Sequence, residues 1–308
     1  MSRKLAVIGL GHVGDAAAHY IVANGFADDL VLIDPNEGKV VADAIDLQDA
    51  MPNLPFHTNI TVNDYSALKD ADVIISALGD IKLQDNPNND RFAELPFTSA
   101  QVKNVAAKIK DSGFNGIIVA ITNPVDVITS IYQSVTGLPK KHVIGTGTLL
   151  DSARMKHAVA DELHIDSRSV AGYNLGEHGN SQFTAWSTVR VLGHPISEVA
   201  KEKHLDLEKL DKQAREGGFK VFQGKKYTSF GVATAAVRLA NTVLNNALTE
   251  LPVSNFREEY GVYLSYPAIV GRDGIVEQIQ LDLTEDELKK LQISADYIKT
   301  KFAESLAK

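Results

Sequence analysis

Short hydrophobic runs alternate with amphipathic stretches along the first half of the chain. The runs have the composition of buried parallel strands, and the stretches between them have helical periodicity. The predicted strands are 4–9, 30–33, 57–62, 72–77, 116–121 and 141–144. The predicted helices are 15–24, 37–49, 93–111, 125–136 and 149–163. This alternation predicts a doubly wound parallel sheet with right-handed crossovers.

The pattern changes in the second half of the chain. The predicted strands there are 169–173, 184–192, 251–254, 262–270 and 275–279. The predicted helices are 198–217, 227–247 and a last helix that ends near residue 306. Thr284 and Glu287 have the spacing of a capping box at the start of that last helix. We therefore predict an α+β region with antiparallel strands.

A glycine-rich turn, GLGHVG at 9–14, joins the first predicted strand to the first predicted helix. Asp34 ends the next strand, about 20 residues after the last glycine, which is the spacing of a dinucleotide site. The glycines permit a tight turn, and the helix N-terminus favours the pyrophosphate. Asp34 would accept from the ribose hydroxyls and repel a 2′-phosphate, which favours NAD over NADP. The alternative is a structural turn without a ligand.

These features predict an α/β fold in two parts. The first is a Rossmann domain with a doubly wound parallel sheet at 1–145, which binds NAD. The second is an α+β catalytic and substrate domain at 146–308, with no flexible linker between them.

Polar residues follow three of the predicted strands, where ligands of such sheets bind. A long polar loop at 79–90 precedes Arg91, and loops of this length are often lids. Asn123 precedes a proline, and the sequence leaves open whether that bond is cis or the pair is a plain turn. Asp151 and Arg154 share one helix face, where an internal salt bridge is the structural alternative.

His178 lies within the sequence GEHG, at 176–179. Histidine can give or take a proton near neutral pH, and the flanking glycines would leave its ring accessible. A lone histidine is more often an ordinary surface-loop residue. The combination of His178 with Asp151, Arg154 and the dinucleotide turn favours a catalytic role.

Composition narrows the class of protein. The chain has 308 residues, a net charge of -8 and no cysteine. The negative charge argues against a nucleic-acid partner or an acidic membrane surface. The lack of cysteine excludes disulfides, thiolate chemistry and cysteine-ligated metals. No hydrophobic run is long enough to span a membrane, so we expect a cytoplasmic protein. We also expect no metal site.

The sequence resembles the L-lactate/malate dehydrogenase family over its whole length. The matching stretches are GLGHVG, LIDPN, DRFAEL, ITNPVD, GTGTLLDSARM, NLGEHGNS and KYTSFGVA. LDSAR and GEHG together are specific, because they lie far apart and are chemically complementary. Within the family, GTGTLLDSARM, GYNLGEHGNSQFTAWSTVRV and YLSYPAIVGRDG are most similar to the L-2-hydroxyisocaproate dehydrogenases of lactic acid bacteria.

The resemblance implies hydride transfer between NAD and a 2-hydroxy acid. It implies that His178 is the acid–base residue, that Asp151 orients it, that Arg154 binds the substrate carboxylate and that Arg91 polarises the carbonyl. The cofactor-binding residues it implies are Gly9, Gly11, Val13, Gly14, Asp34, Gly79 and Asn123, the last of which would also contact the carbonyl. The family also implies a homotetramer. One departure is Asn180, where most lactate relatives carry an aspartate.

The substrate is expected to be a bulky or branched 2-oxo acid, such as 2-oxoisocaproate. Malate-specific relatives carry an arginine in the mobile loop, whereas 79–90 offers only Lys82 as a cation. Thr228, in the first turn of the predicted helix 227–247, is expected to line the pocket. The alternative is an L-lactate dehydrogenase that acts mainly on pyruvate. An NAD-binding sensor would not need the four polar site residues together, and related NAD- and metal-dependent glycosidases use a cysteine.

Overall fold

The computed structural model describes residues 2–80, 83 and 92–306. The strands are β1 (Lys4–Ile8), β2 (Asp29–Ile33), β3 (Asn59–Val62), β4 (Val73–Ser76), β5 (Ile117–Ala120), β6 (Val143–Gly145), β7 (Val170–Ala171), β8 (Asn174–Leu175), β9 (Phe183–Thr184), β10 (Arg190–Val191), β11 (His194–Pro195), β12 (Thr249–Arg257), β13 (Val262–Gly271) and β14 (Gly274–Gln278). The helices are α1 (His12–Ala23), α2 (Glu37–Ala50), α3 (Leu95–Asp111), α4 (Val125–Thr136), α5 (Leu149–Leu163), α6 (Ile196–Lys203), α7 (Leu207–Lys225), α8 (Phe230–Leu244) and α9 (Glu285–Leu306).

Nine strands form one sheet in the order β3-β2-β1-β4-β5-β6-β12-β13-β14. The first six are parallel, with β1 between β2 and β4, and this order places a topological switch beside β1. The last three are antiparallel and join the parallel part where Ser254 of β12 pairs with Gly145 of β6. The predicted fold class, a doubly wound sheet followed by an α+β region, is confirmed.

The two faces of the sheet bury different side chains of the same strand. Leu5 and Val7 of β1 pack in the cluster that contains α1 and α8. Ala6 and Ile8 point the other way, into the cluster that contains α3, α4 and α9. Each fully buried Leu or Ile contributes about 1.5–3 kcal/mol, so burial on both faces fixes the register of the strand and the position of the turn after it.

Two predicted elements of the second half are each divided in the structure. The single helix predicted at 198–217 is wrong, because His204 adopts a left-handed conformation (φ 56°) that ends α6. Asp206 then caps α7 by accepting a hydrogen bond from the Lys209 amide at 3.0 Å. The single strand predicted at 184–192 is also wrong, because a turn at 186–188 separates β9 from β10.

The long helix before the last three strands is shorter than predicted at both ends. It begins at Phe230, so Thr228 precedes α8 rather than lying in its first turn. The predicted capping box is confirmed: Glu287 Oε2 accepts from the Thr284 amide at 2.9 Å, and Thr284 Oγ1 accepts from the Glu287 amide at 3.3 Å. Across 2–80, 83 and 92–306, no helix has the length and hydrophobicity needed to cross a membrane.

Candidate active site

The glycine-rich turn connects β1 to α1 by close backbone packing. A Cβ on Gly14 would lie 1.8 Å from the carbonyl oxygen of Gly9, so only glycine lets the helix approach the strand here. Gly9 itself has a φ of 91°. A Cβ on Gly11 would meet no atom of the described residues within 4 Å, so they leave the turn open on that side, and Val13 packs towards the core. The N-terminus of a helix such as α1 favours an anion, because its first amides are unpaired and its dipole is positive there.

Asp34 lies directly beside this turn. Its Oδ2 accepts a hydrogen bond from the Leu10 amide at 2.7 Å, and its Oδ1 accepts from the Asn36 amide at 2.8 Å. The carboxylate is thus held against the turn, and each oxygen retains a lone pair for another donor. Asn63, which sequence reasoning did not single out, accepts from the Asp34 amide at 2.9 Å.

Two further predicted residues lie beyond the carboxyl ends of β4 and β5. Gly79 is exposed after β4, where an added Cβ would lie 3.8 Å from Glu94 Oε2. Asn123 follows β5 and is half-buried, and its bond to Pro124 is cis. Arg91 lies outside the described residues, as does most of the loop before it.

The buried carboxylate of Asp151 contacts two other predicted site residues, His178 and Arg154. Asp151 is in the first turn of α5, and its side chain is only 6% exposed. Its Oδ2 is 2.5 Å from Nδ1 of His178, and its Oδ1 accepts from Nη1 of Arg154 at 3.1 Å. The internal salt bridge between Asp151 and Arg154 is therefore present, and the same carboxylate also binds the histidine.

This arrangement determines which nitrogen atoms of His178 and Arg154 are left for a ligand. Because Nδ1 of His178 meets the carboxylate, Nε2 is the ring nitrogen left to meet a substrate. Arg154 uses Nη1 for Asp151, and its planar fork has other N–H groups for a second carboxylate. Gly218 of α7 makes room for this guanidinium, because a Cβ there would lie 3.0 Å from Arg154 Cζ.

The glycines around His178 serve close packing, whereas the sequence suggested that they leave the ring accessible and let the backbone turn tightly. A Cβ on Gly176 would lie 2.5 Å from Ser294 Oγ, and one on Gly179 would lie 1.9 Å from Glu177 Oε1. Glu177 is buried, and its Oε2 accepts from the amide of Ser181 at 2.9 Å. The loop that carries His178 is therefore packed against α9 and stabilised by a hydrogen bond between two of its own residues.

Sequence reasoning missed a second carboxylate that contacts His178. Asp126, in the first turn of α4, accepts from the His178 amide through Oδ2 at 2.8 Å and from Ser254 Oγ through Oδ1 at 2.6 Å. Burial raises the pKa of the Asp126 carboxyl to about 7. The signal in the sequence was an acid within an otherwise hydrophobic helix start, VDVI.

Thr228 is half-buried in the segment between α7 and α8. The preceding residue, Tyr227, stacks on His12 of the glycine-rich turn, with ring centroids 3.6 Å apart and planes at 9°. Lys225 lies over the same tyrosine ring and donates to Ser229 Oγ at 2.9 Å. The segment that carries Thr228 is thus attached to the turn that carries the dinucleotide signature.

Comparison with known proteins assigns the family. The chain matches the lactate/malate dehydrogenase NAD-binding domain over residues 3–145 and the α/β C-terminal domain of the same family over residues 148–308. It is 36% identical to L-lactate dehydrogenase 3 of Bacillus cereus, over 97% of this chain and 98% of that protein. The chain therefore belongs to the lactate/malate dehydrogenase family.

Two solved structures have the same fold. The minor L-lactate dehydrogenase of Enterococcus mundtii, in its ligand-bound form, superposes with a TM-score of 0.92 at 33% identity over 98% of each chain. Lactate dehydrogenase of Cryptosporidium parvum, complexed with lactic acid and NAD, gives a TM-score of 0.92 at 30% identity, over 99% of this chain and 98% of that chain. The protein is an NAD-dependent L-2-hydroxy acid dehydrogenase.

Proposed function

We propose that this enzyme reversibly reduces bulky or branched 2-oxo acids to L-2-hydroxy acids, and that His178 is its acid–base residue. The observation that supports the site assignment most strongly is the Asp151 carboxylate, which holds His178 on one oxygen and Arg154 on the other. A proton donor and a carboxylate-binding fork at a fixed separation match the two polar ends of a 2-oxo acid.

Bound NADH supplies the hydride. As negative charge grows on the 2-oxygen, a protonated His178 gives it a proton, and Asp151 stabilises the imidazolium and fixes the ring. Arg154 binds the carboxylate, which a lysine could not do with the same two-point geometry. In this proposal Arg91 stabilises the developing alkoxide and Asn123 orients the carbonyl.

The residues around the glycine-rich turn fit NAD. Gly9, Gly11, Val13 and Gly14 would admit the pyrophosphate, and Asp34 would accept from the ribose hydroxyls. The support is that the open side of Gly11 faces outward and that the Asp34 carboxylate is fixed beside Leu10. Gly79 and Asn123, beyond two strand ends, would contact the nicotinamide half.

The preference for bulky substrates rests on two sequence features. The resemblance to L-2-hydroxyisocaproate dehydrogenases favours a C5–C6 acid, and the length of the sequence 79–90, which exceeds that of typical lactate enzymes, favours a bulkier side chain. That loop has no arginine to pair with a second carboxylate, and burying an unpaired charge costs several kcal/mol. Each added buried methylene contributes about 1 kcal/mol, so larger 2-oxo acids gain about 10- to 200-fold in kcat/KM over pyruvate. Thr228 would line this pocket.

The second candidate is an L-lactate dehydrogenase that acts mainly on pyruvate. The names of the two L-lactate dehydrogenases compared above favour it. Measuring kcat/KM with NADH for pyruvate, oxaloacetate, 2-oxoisocaproate and phenylpyruvate separates the candidates. We expect 2-oxoisocaproate to exceed pyruvate and both to exceed oxaloacetate. A value for pyruvate above those of all larger acids would select the second candidate, and rapid reduction of oxaloacetate would implicate Lys82.

We also propose a cytoplasmic homotetramer with a division between the two domains near residue 145. The tetramer follows from the family resemblance, and light scattering should then give four times the chain mass of 33.4 kDa. A monomer mass under assay conditions would reject it.

A further inference from the structure

Asp126 is a buried acid that the predicted site does not include. It is 1% exposed and lies in the first turn of α4, three positions after Asn123. One carboxylate oxygen accepts from the His178 amide and the other from Ser254 Oγ of β12. The turn after β5, the His178 loop and β12 thus meet at one side chain.

The hydrogen bond to the His178 amide has a direct geometric consequence. Asp151 holds the imidazole ring through Nδ1, whereas Asp126 holds the main chain of the same residue. The two contacts fix both ends of the histidine. Because Asn123 lies only three residues before Asp126, the second contact also links the histidine to the segment that carries the proposed carbonyl ligand.

A carboxylate at this position reduces the stability of the fold. Its burial, and the negative charge of Glu177, raise the pKa of Asp126 to about 7, although the hydrogen bonds from Ser254 and His178 lower it. Among the described residues, the titratable groups that act on Asp126 are Glu177 and His178 of the loop, and β12 contributes the Ser254 hydroxyl. A carboxyl with a raised pKa contributes stability that is present at low pH and is lost as the pH rises through about 7.

An asparagine would satisfy both hydrogen bonds without this loss. Its Oδ1 can accept from the His178 amide, and its Nδ2 can donate to Ser254 Oγ, since a hydroxyl both donates and accepts. Hydrogen bonding alone therefore does not explain the acid. The negative charge is the property that an asparagine lacks, and because the carboxylate lies 2.8 Å from the His178 amide, that charge is also close to the imidazole of the same residue.

We propose that Asp126 is a positioning residue for His178. Asp126 fixes the main chain of His178, and its negative charge favours protonation of the His178 imidazole. The proposal rests on the proposed function, in which the protonated imidazole is the proton donor in reduction. It assigns Asp126 no contact with substrate or cofactor.

The test is Asp126→Asn, which keeps the hydrogen bonds and removes the charge. The kcat/KM for 2-oxo acid reduction falls above a certain pH midpoint, and this midpoint should move down by about 0.5–1 unit. That shift is at or below the smallest pKa change usually caused by a nearby opposite charge. One unit above the wild-type midpoint, this is a loss of about 3- to 10-fold. The melting temperature at pH 8.5 should be unchanged or higher. Asp111→Asn, which removes the same charge from an exposed end of α3, is the control and should leave the midpoint unchanged.

A second readout does not depend on activity. Modification of His178 by diethyl pyrocarbonate, followed by mass spectrometry of its peptide as a function of pH, should show the same downward shift in Asp126→Asn. If no 2-oxo acid is reduced but this shift occurs, the proposed function fails and the role of Asp126 stands. The proposal would be overturned if Asp126→Asn had the same modification midpoint as the wild type. It would also be overturned if the variant had a lower melting temperature and an unshifted pH profile of kcat/KM.

Ser254→Ala extends the test if Asp126→Asn does not fold. Without the Ser254 hydrogen bond, the Asp126 carboxyl keeps its proton to higher pH, so its negative charge beside His178 is reduced. The pH midpoints of kcat/KM and of His178 modification should therefore both shift downward by less than one unit. An unshifted modification midpoint in Ser254→Ala would then overturn the proposal.

Discussion

Replacing Asp151 with asparagine should remove most of the activity while leaving the fold intact. The side chain is 6% exposed, and its two oxygens lie 2.5 Å from His178 Nδ1 and 3.1 Å from Arg154 Nη1. Asparagine has nearly the same shape but carries no charge. It therefore leaves an imidazolium and a guanidinium without their shared counter-charge.

The size of the effect follows from those distances. Two unit charges about 4 Å apart attract by about 4 kcal/mol at an effective dielectric constant of about 20. Part of this attraction is recovered from water, because the Arg154 side chain is 22% exposed and that of His178 is 17% exposed. A loss of about 2–4 kcal/mol corresponds to a fall of about 30- to 1,000-fold in kcat/KM for reduction at neutral pH.

Stopped-flow oxidation of NADH by the best 2-oxo acid measures this fall. The loss should shrink at lower pH, where the imidazole takes its proton from solvent more easily, while NADH affinity stays unchanged. Asp161→Asn, at an exposed position in the last turn of the same helix, should stay within about twofold of wild type. If Asp151→Asn retains more than about a third of the activity, the shared carboxylate is not part of the catalytic machinery.

Two further predictions concern the cofactor and the proton. Asp34→Ser should weaken NADH binding and improve the relative use of NADPH, because it removes repulsion of the 2′-phosphate. An unchanged ratio of the two kcat/KM values would show that Asp34 does not meet the ribose. Reduction requires a protonated His178 and oxidation a neutral one, so the KM for the 2-oxo acid should rise at high pH while 2-hydroxy acid oxidation improves. Identical pH profiles in both directions would contradict this.

Elements with strong local signals were predictable from the sequence. α4 and α5 begin and end as predicted. The end of α6 was not predicted. It depends on the left-handed conformation of one residue, His204, and the hydrophobic pattern gives no sign of that conformation. Asp206 in HLDLEKL was the available sign of a new helix N-terminus.

The candidate catalytic cluster was predictable only in part. Asp151, Arg154 and His178 meet as their chemistry suggested, but whether Asp151 binds one partner or both depends on the packing of α5 against the His178 loop. Asp126 was missed because its partners, His178 and Ser254, are far away in sequence. Hydrophobic periodicity identifies a buried position but does not show what a buried acid contacts there.

The most direct measurement is a comparison of turnover and NADH binding in His178→Asn and wild type. Loss of the proton donor should lower kcat by about 10²- to 10⁴-fold, the usual contribution of general acid–base catalysis. NADH should still bind, as followed by its fluorescence, because Asp34 and the glycine-rich turn are unchanged. A variant that binds NADH and keeps more than about a tenth of the wild-type kcat would show that His178 is not the acid–base residue.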